Sequence, residues 1–252
     1  MGPGAFESVR SYWRFATSCP DGFAVPGWVV ALADGHQAAP NGWVGVVELR
    51  GSAVVAAPSA IASQMKELLH RASSVGDLTR SRAAGQIYGP FRQTLGPAML
   101  LYGRPHRSAS AAADVVGPLA GDDPRVLAVI SAASAHEVEE SGLTHATSGV
   151  FVAIDHAGVP ASACGWRPWP YDIAHVSVLT STSHRSRGFG RVAASAALQA
   201  AVAAGLVAQW RAVESNTASI ALGASLGLEP IGRQFSTLID TNAWPPACLG
   251  PR

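Results

Sequence analysis

Arg185, Arg187 and Arg191 crowd one short loop, STSHRSRGFGR (Ser181–Arg191), together with Gly188 and Gly190. Several positive charges beside backbone without side chains can hold an anion of several charges, because glycine lets peptide N–H groups come close to it. The flanking residues sharpen that expectation. Ile173–Thr180 (IAHVSVLT) is an apolar run of β type, and Val192–Ala204 (VAASAALQAAVAA) has the composition of an Ala-rich helix. A strand feeding a glycine loop that opens a helix offers a ligand the unpaired N–H groups of the first helical turn. The helix dipole adds about half a positive charge there. The chemistry to expect is the binding of a phosphate-rich cofactor.

Groups able to move protons lie around the same stretch. His175 is the nearest titratable side chain on the apolar run, and an imidazole changes charge near neutral pH. Alternation groups it with Ile173, Ser177 and Leu179, whereas Val176 and Val178 share the face more suited to a cleft. His175 is therefore either a base or a sheet-packing histidine. Glu137, Glu139 and Glu140 close a helical stretch, where carboxylates either meet a cationic substrate and relay its proton or simply end a solvated helix. Trp166, Trp169, Tyr171 and Asp172 surround the rigid connection RPWPYD. Aromatic faces beside a carboxylate suit an amino sugar, and packing alone also accounts for the tryptophans. Cys19, Cys164 and Cys248 form no CxxC pair and no metal spacing, so no metal is expected and plain burial in a reducing cytosol is.

The elements that must position these groups follow from periodicity and turn residues. Residues 1 to about 25 hold a short amphipathic helix. Trp28–Ala33, Trp43–Leu49 and Ser52–Ala56 are strands, and Pro58–Ser73 is a helix with Ile61, Met65, Leu68 and Leu69 on one side. A short helix is expected near Val75–Ala84, and Ala98–Tyr102 is a buried strand. SASAAADVVGP has the composition of a linker, which sets an N-terminal accessory lobe at 1–110. The 111–240 region is then rich in β and α segments: a helix over Pro124–Glu140, a hairpin of Val150–Asp155 and Ala161–Trp166, the strand, loop and helix above, a strand Val207–Val213, an Asn216-capped helix to Leu226 stopped at Gly227, and a strand Pro230–Ile239. Residues 241–252 form an irregular tail.

Composition bounds the rest. A chain of 252 residues with 48% hydrophobic and 14% charged residues can bury a sizeable core, and a net charge of +1 argues against a nucleic-acid partner. The longest apolar stretch, Val192–Val207, is too short and too rich in alanine to span a bilayer, and MGPGAFESVRSYWRF lacks the pattern of a signal peptide. A cytoplasmic protein without a membrane partner is expected. A Leu- and Ala-rich surface leaves a homodimer open.

Arg185-Ser186-Arg187-Gly188-Phe189-Gly190 fits R/Q-x-x-G-x-G/A, and with the hairpin, strand, loop, helix, strand, Asn-led helix and Leu226-Gly227-Leu228 ending it resembles the GCN5-related N-acetyltransferase (GNAT) superfamily over about residues 97–240. The resemblance implies an α/β (α+β) GNAT fold, a mixed, mostly antiparallel twisted sheet flanked by helices, with a degenerate GNAT-like N-terminal lobe. It further implies acetyl-CoA as donor, lying between the strands Ile173–Thr180 and Val207–Val213. Val176, Val178, Leu179 and Thr180 would line that gap, with an N–H near Val178–Leu179 on the thioester oxygen. Arg185, Ser186, Arg187, Gly188, Phe189, Gly190 and Arg191 would hold the pyrophosphate, and Asn216 and Ser219 would stand nearby. Glu139, Glu140 or His175 would serve the acceptor's proton, and Trp166, Trp169, Tyr171, Asp172 and Glu137 would line the acceptor pocket. The position at which the family often places an acidic tyrosine is Gly223, a departure that leaves the proton donor open.

Gly188-Phe189-Gly190-Arg191-Val192-Ala193 also spells the dinucleotide pattern G-x-G-x-x-A, with Glu214 available as a ribose-binding acid. The seven residues between Thr180 and Gly188 are too many for that tight turn, and too little chain follows Glu214 for a doubly wound sheet. LGPAMLLYG, EESGL, AHVSVLT, RGFG and LVAQWRA together look similar to two-lobed bacterial GNAT proteins, and among them to aminoglycoside 2'-N-acetyltransferases of the kasugamycin-inactivating kind. The implied acceptor is a small-molecule amine. Protein or peptide acetylation, and a non-catalytic acyl-CoA-binding regulator, are the alternatives.

Overall fold

The computed structural model describes residues 1–70, 72–80, 87, 91–104 and 114–240. Its elements run α1 (Pro3–Ala16), β1 (Gly27–Leu32), β2 (Val44–Leu49), β3 (Ser52–Ala57), α2 (Ser59–Leu69), β4 (Phe91–Gly103), β5 (Asp114–Leu119), α3 (Pro124–Ser131), α4 (Ala135–Ser141), β6 (Val150–Ile154), β7 (Pro160–Trp169), β8 (Ile173–Thr180), α5 (Phe189–Ala203), β9 (Val207–Val213), α6 (Thr217–Ser225) and β10 (Glu229–Ile239). This is a mixed α/β fold. The chain forms two units, neither contiguous in sequence. One holds Met1–Ser8, Leu101–Arg211 and Thr217–Pro230; the other holds Val9–Leu100, Ala212–Asn216 and residues from Ile231 on.

In the unit that contains the glycine loop, β5, β6, β7 and β8 pair antiparallel in that order, β9 runs parallel to β8, and the end of β4 follows β9. Side chains alternate across this sheet. One face carries Val150, Val152, Ala163 and Leu179, packed with Val126 and Val129 of α3 and Leu143. Along β8 the same face carries His175 and Ser177, and a Cβ at Gly142, just past α4, would lie 3.3 Å from Ser177 Oγ. The other face carries Ser162, Val176, Val178 and Thr180 and is covered by α5, whose Gly190 approaches Thr180 most closely. The helices therefore stand on both sides of β8.

In the other unit the order is β1, β3, β2, β10, β4, with β1 parallel to β3 and the remaining β2 pairings antiparallel. Val44, Val46, Val55, Met65, Leu69 and Phe235 form its core. Arg233 binds Glu214 through Nε at 2.6 Å and reaches Glu48 at 3.6 Å, so Glu214 is committed to an ion pair there.

The structure differs from the expected elements in three described places. Pro124–Glu140 is two helices rather than one, because Ser134 and Glu137 form a capping box that restarts the chain after the C-cap of α3 at Ala132. Residues 114–119, expected within a linker, form the edge strand β5, whose mostly exposed residues hide the usual alternation. A 3-10 turn occupies Val75–Leu78 of the helix expected near Val75–Ala84. Residues 81–84 of that stretch, 108–113 of the expected linker, the tail at 241–252 and Cys248 lie outside the described residues. Among the described residues, no helix is long and apolar enough to cross a membrane.

Candidate active site

The central feature is the parting of β8 and β9. Their paired positions are Ile173 with Val207, Ala174 with Ala208 and His175 with Gln209, and the pairing goes no further. Peptide groups alternate sides along a strand. Ser181 N–H donates to Ala161 O at 3.0 Å on the β7 side, whereas Val207 N–H donates to Asp172 O at 2.7 Å on the β9 side. Even-numbered residues of β8 therefore turn their peptide groups toward β9. The His175–Gln209 rung takes up the Val176 N–H, and past it there is no β9 partner, so the Val176 C=O and the N–H and C=O of Val178 face the opening. Leu179 directs its own to β7, and its side chain is buried against α3.

The loop that follows is held at both ends. His184 is buried, with Nδ1 2.8 Å from Ser181 Oγ and Nε2 3.1 Å from Asp155 Oδ2 on the β6–β7 turn. Asp155 also accepts from the N–H groups of Ala157 and Val159, and these bonds hold its carboxyl below the usual range. His184 further stacks edge-on against Phe189, and the Arg187 guanidinium lies 5.4 Å from the Phe189 ring centre. Arg185 does not point freely to solvent: it pairs with Glu137 at 2.7 Å and its Nε reaches Thr180 O at 3.4 Å. Arg187 and Arg191 are exposed.

Ser186 and Gly188 take left-handed φ values of 58° and 87°, which turn the chain into α5. Gly188 is the N-cap, and no side chain caps this helix. A Cβ at Gly188 would meet nothing within 4 Å, so glycine is needed there for conformation and the space in front stays open. At Gly190 the demand is spatial: a Cβ would stand 2.9 Å from Thr180 Oγ1. That hydroxyl bonds Ser162 Oγ at 2.9 Å, and Ser162 in turn donates to Leu179 O. The first-turn N–H groups of a 15-residue helix thus sit uncapped beside the open edge of β8.

His175 stands at the last paired rung, where the strands begin to part. Its ring stacks on Trp169 at 4.2 Å and 8°, and Nδ1 lies 2.8 Å from Gln209 Oε1. Gln209 Nε2 donates to the Tyr102 hydroxyl. Burial, with Arg211 and then Arg167 nearby, pushes the imidazole down to about 4, so it is neutral at physiological pH.

The other candidate residues are dispersed. Trp166 and Trp169 are three positions apart on β7 and point to opposite faces; Trp166 is buried and stacks on Phe151. Trp169 shares the face of His175, and exposed Tyr171 and Asp172 form the adjoining turn with φ values of 63° and 61°. Glu137 is occupied: Ser134 N–H and Oγ donate to one oxygen and Arg185 to the other, which together hold it down to about 2. Glu139 and Glu140 are exposed on α4. Asn216 directly precedes α6, its N–H donating to Val213 O. Ser219 accepts from Trp210 Nε1 at 3.0 Å, and the indole fills the space beside Gly223. Gln209, Tyr102, Trp210, His184 and Asp155 escape sequence reasoning. A buried glutamine on a strand was the one visible signal.

Residues 122–228 match the family model described as the acetyltransferase (GNAT) family. The match covers somewhat less than half of the chain. No curated protein sequence matches the chain. Among solved structures, the chain is similar to a GNAT-family protein from Novosphingobium aromaticivorans (22% identity, TM-score 0.46), with 59% of this chain and 65% of that one covered. The overlap therefore spans less than two thirds of that relative. A GCN5-related N-acetyltransferase from Kribbella flavida is 18% identical over 94% of this chain and 95% of its own, with a TM-score of 0.47. A GNAT superfamily phosphinothricin acetyltransferase from Sinorhizobium meliloti, solved in complex with AcCoA, is 18% identical over 50% and 87%, with a TM-score of 0.36.

Proposed function

We propose that this protein is an acetyl-CoA-dependent N-acetyltransferase that moves the acetyl group directly, in a ternary complex, to a primary amine of a small molecule. The observation that carries this reading is the parting of β8 from β9 beside the uncapped start of α5. The opening offers the Val178 N–H to an acyl-pantetheine arm, and the helix start offers its own to a pyrophosphate. Gly188, with open space before it, lets phosphate oxygens approach, and Arg187 and Arg191 add charge. Bound there, acetyl-CoA would supply an activated acetyl thioester.

In this reading Val178 N–H stabilises the charge that develops on the thioester oxygen, a role that needs no side chain. His175, neutral and at the closed end of the opening, takes a proton from the incoming ammonium. No tyrosine stands at position 223 to protonate the departing sulfur; the amine's own proton remains for that task, and the α5 dipole favours the thiolate until it arrives. Trp169, Tyr171 and Asp172 border the acceptor, and Glu139 and Glu140 attract its positive charge.

For the acceptor we favour an aminoglycoside of the kasugamycin type, whose acetylation would give resistance; the aromatic turn with its carboxylate supports an amino sugar over an extended peptide. Trp210 against Gly223 favours a second reading, a non-catalytic acyl-CoA-binding regulator. Thiol release from acetyl-CoA, followed with aminoglycosides, polyamines and peptides, separates them. Turnover with an aminoglycoside is expected. Tight CoA binding without turnover on any amine would favour the regulator, and calorimetric heat with NAD but not acetyl-CoA would overturn both.

A further inference from the structure

We propose that Gln209 is a positioning residue, holding His175 in the tautomer whose Nε2 is free to take the acceptor's proton. The inference rests on His175 as the base. Gln209 is completely buried between the two groups it binds. A carboxamide has one donor end and one acceptor end. With Nε2 given to the Tyr102 hydroxyl, Oε1 can only accept, so the hydrogen on His175 is on Nδ1 and the lone pair is on Nε2. The Trp169 stack fixes the plane of the same ring. One contact sets the rotation of the imidazole and the other its protonation pattern.

The choice of an amide has a consequence. A carboxylate in this place would orient the ring equally well and would also favour the imidazolium. Gln209 orients without adding charge. Burial first, then Arg211 on β9 and Arg167 on β7, oppose protonation, and on α4, packed against this face, Glu137 is paired with Arg185 while Glu139 and Glu140 are exposed. The base therefore stays unprotonated until the acceptor arrives. An acceptor R–NH3⁺ gives one proton to His175 Nε2, leaving R–NH2 and an imidazolium. The amine lone pair forms the C–N bond as the C–S bond breaks, a second amine proton goes to sulfur, and the imidazolium returns its proton to solvent.

The test combines ¹⁵N-histidine NMR of the whole protein with pH profiles, using His175→Gln to assign the signal. The unaltered protein is expected to show the Nδ1–H tautomer at neutral pH. In Gln209→Glu the His175 titration should rise by about 1 to 3 units, and the acid limb of kcat/KM should rise with it. Gln209→Leu should lower kcat roughly tenfold while the acceptor KM stays within about twofold. An Nε2–H tautomer overturns the role of Gln209 without any Gln209 variant having to fold. A His175 titration that moves while the rate profile stays put overturns the proposal at its premise, the base assignment, and leaves the hold of Gln209 on the ring intact.

Discussion

Trp210 lies so close to Gly223 that a Cβ on the glycine would stand 3.2 Å from indole Cδ1 and Cγ. The indole has little room to yield, being 2% exposed and tied through Nε1 to Ser219. We expect Gly223→Tyr to destabilise the fold by about 1–3 kcal/mol through overpacking and to leave the pH dependence of kcat without a new limb. Trp210→Ala combined with Gly223→Tyr should cost less than the sum of the two changes. Denaturant titration of the three variants checks it, and strict additivity would show that the indole does not exclude the side chain.

Gly188 and Gly190 should fail for different reasons when changed to alanine. Gly188→Ala keeps its space but pays about 1–2 kcal/mol for the left-handed backbone. Gly190→Ala presses on Thr180 Oγ1, which is hydrogen-bonded to Ser162 Oγ, and should shift the β8 edge along with the helix. Gly188→Asp is expected to abolish acetyl-CoA binding by calorimetry, since a carboxylate would occupy the anion's place. An unchanged dissociation constant would refute that placement of the pyrophosphate.

His175 should leave a mark on stability as well. Its folded pKa of about 4 lies below its ordinary 6.5, so the unfolded chain binds the proton more readily between those values. The stabilisation is complete above pH 6.5 and is lost as pH falls toward 4, roughly 3 kcal/mol in all. His175→Gln should flatten the stability profile in that window. Glu137, held from 4.5 down to about 2, loses its contribution as pH falls through that range, below the pH 5 point of comparison, so it does not mask the effect. Urea titrations at pH 7 and pH 5 on both proteins give the comparison.

The His184–Asp155 contact ties the loop to the β6–β7 turn. Asp155→Ala should raise the KM for acetyl-CoA about threefold to tenfold with kcat nearly unchanged, because the loop loses its anchor and the reacting groups do not. His184→Gln, which keeps a donor toward Asp155, should raise the KM less than Asp155→Ala does. Steady-state kinetics with acetyl-CoA varied at saturating amine distinguishes this from a change in chemistry.

Much of the path into the site was legible. Ile173–Thr180 and Val207–Val213 have the observed strand limits, and Gly227 has the left-handed φ of 84° expected of a helix stop. Apolar periodicity and turn residues are local signals, and local signals survive reading one residue after another. Harder to see was the company each side chain keeps. Arg185 and Glu137 are 48 positions apart and pair at 2.7 Å, a partnership that neither stretch announces on its own. Trp166 and Trp169 look like one aromatic cluster along the chain and point to opposite faces of the sheet.

What the amino-acid sequence determined by itself is the frame of the proposed anion site: an apolar strand, a loop with glycines at the two places where backbone must turn or approach, and an uncapped helix. Each part depends on neighbours within a few residues, so residue type and spacing suffice. Tertiary structure decided the rest. Whether β8 and β9 part at His175, whether His175 meets Gln209, and whether Trp210 fills the space at Gly223 depend on residues that come together only when the sheet forms. Protonation and hydrogen-bond polarity follow from burial and from those distant partners, and neither is written in any short stretch of the chain.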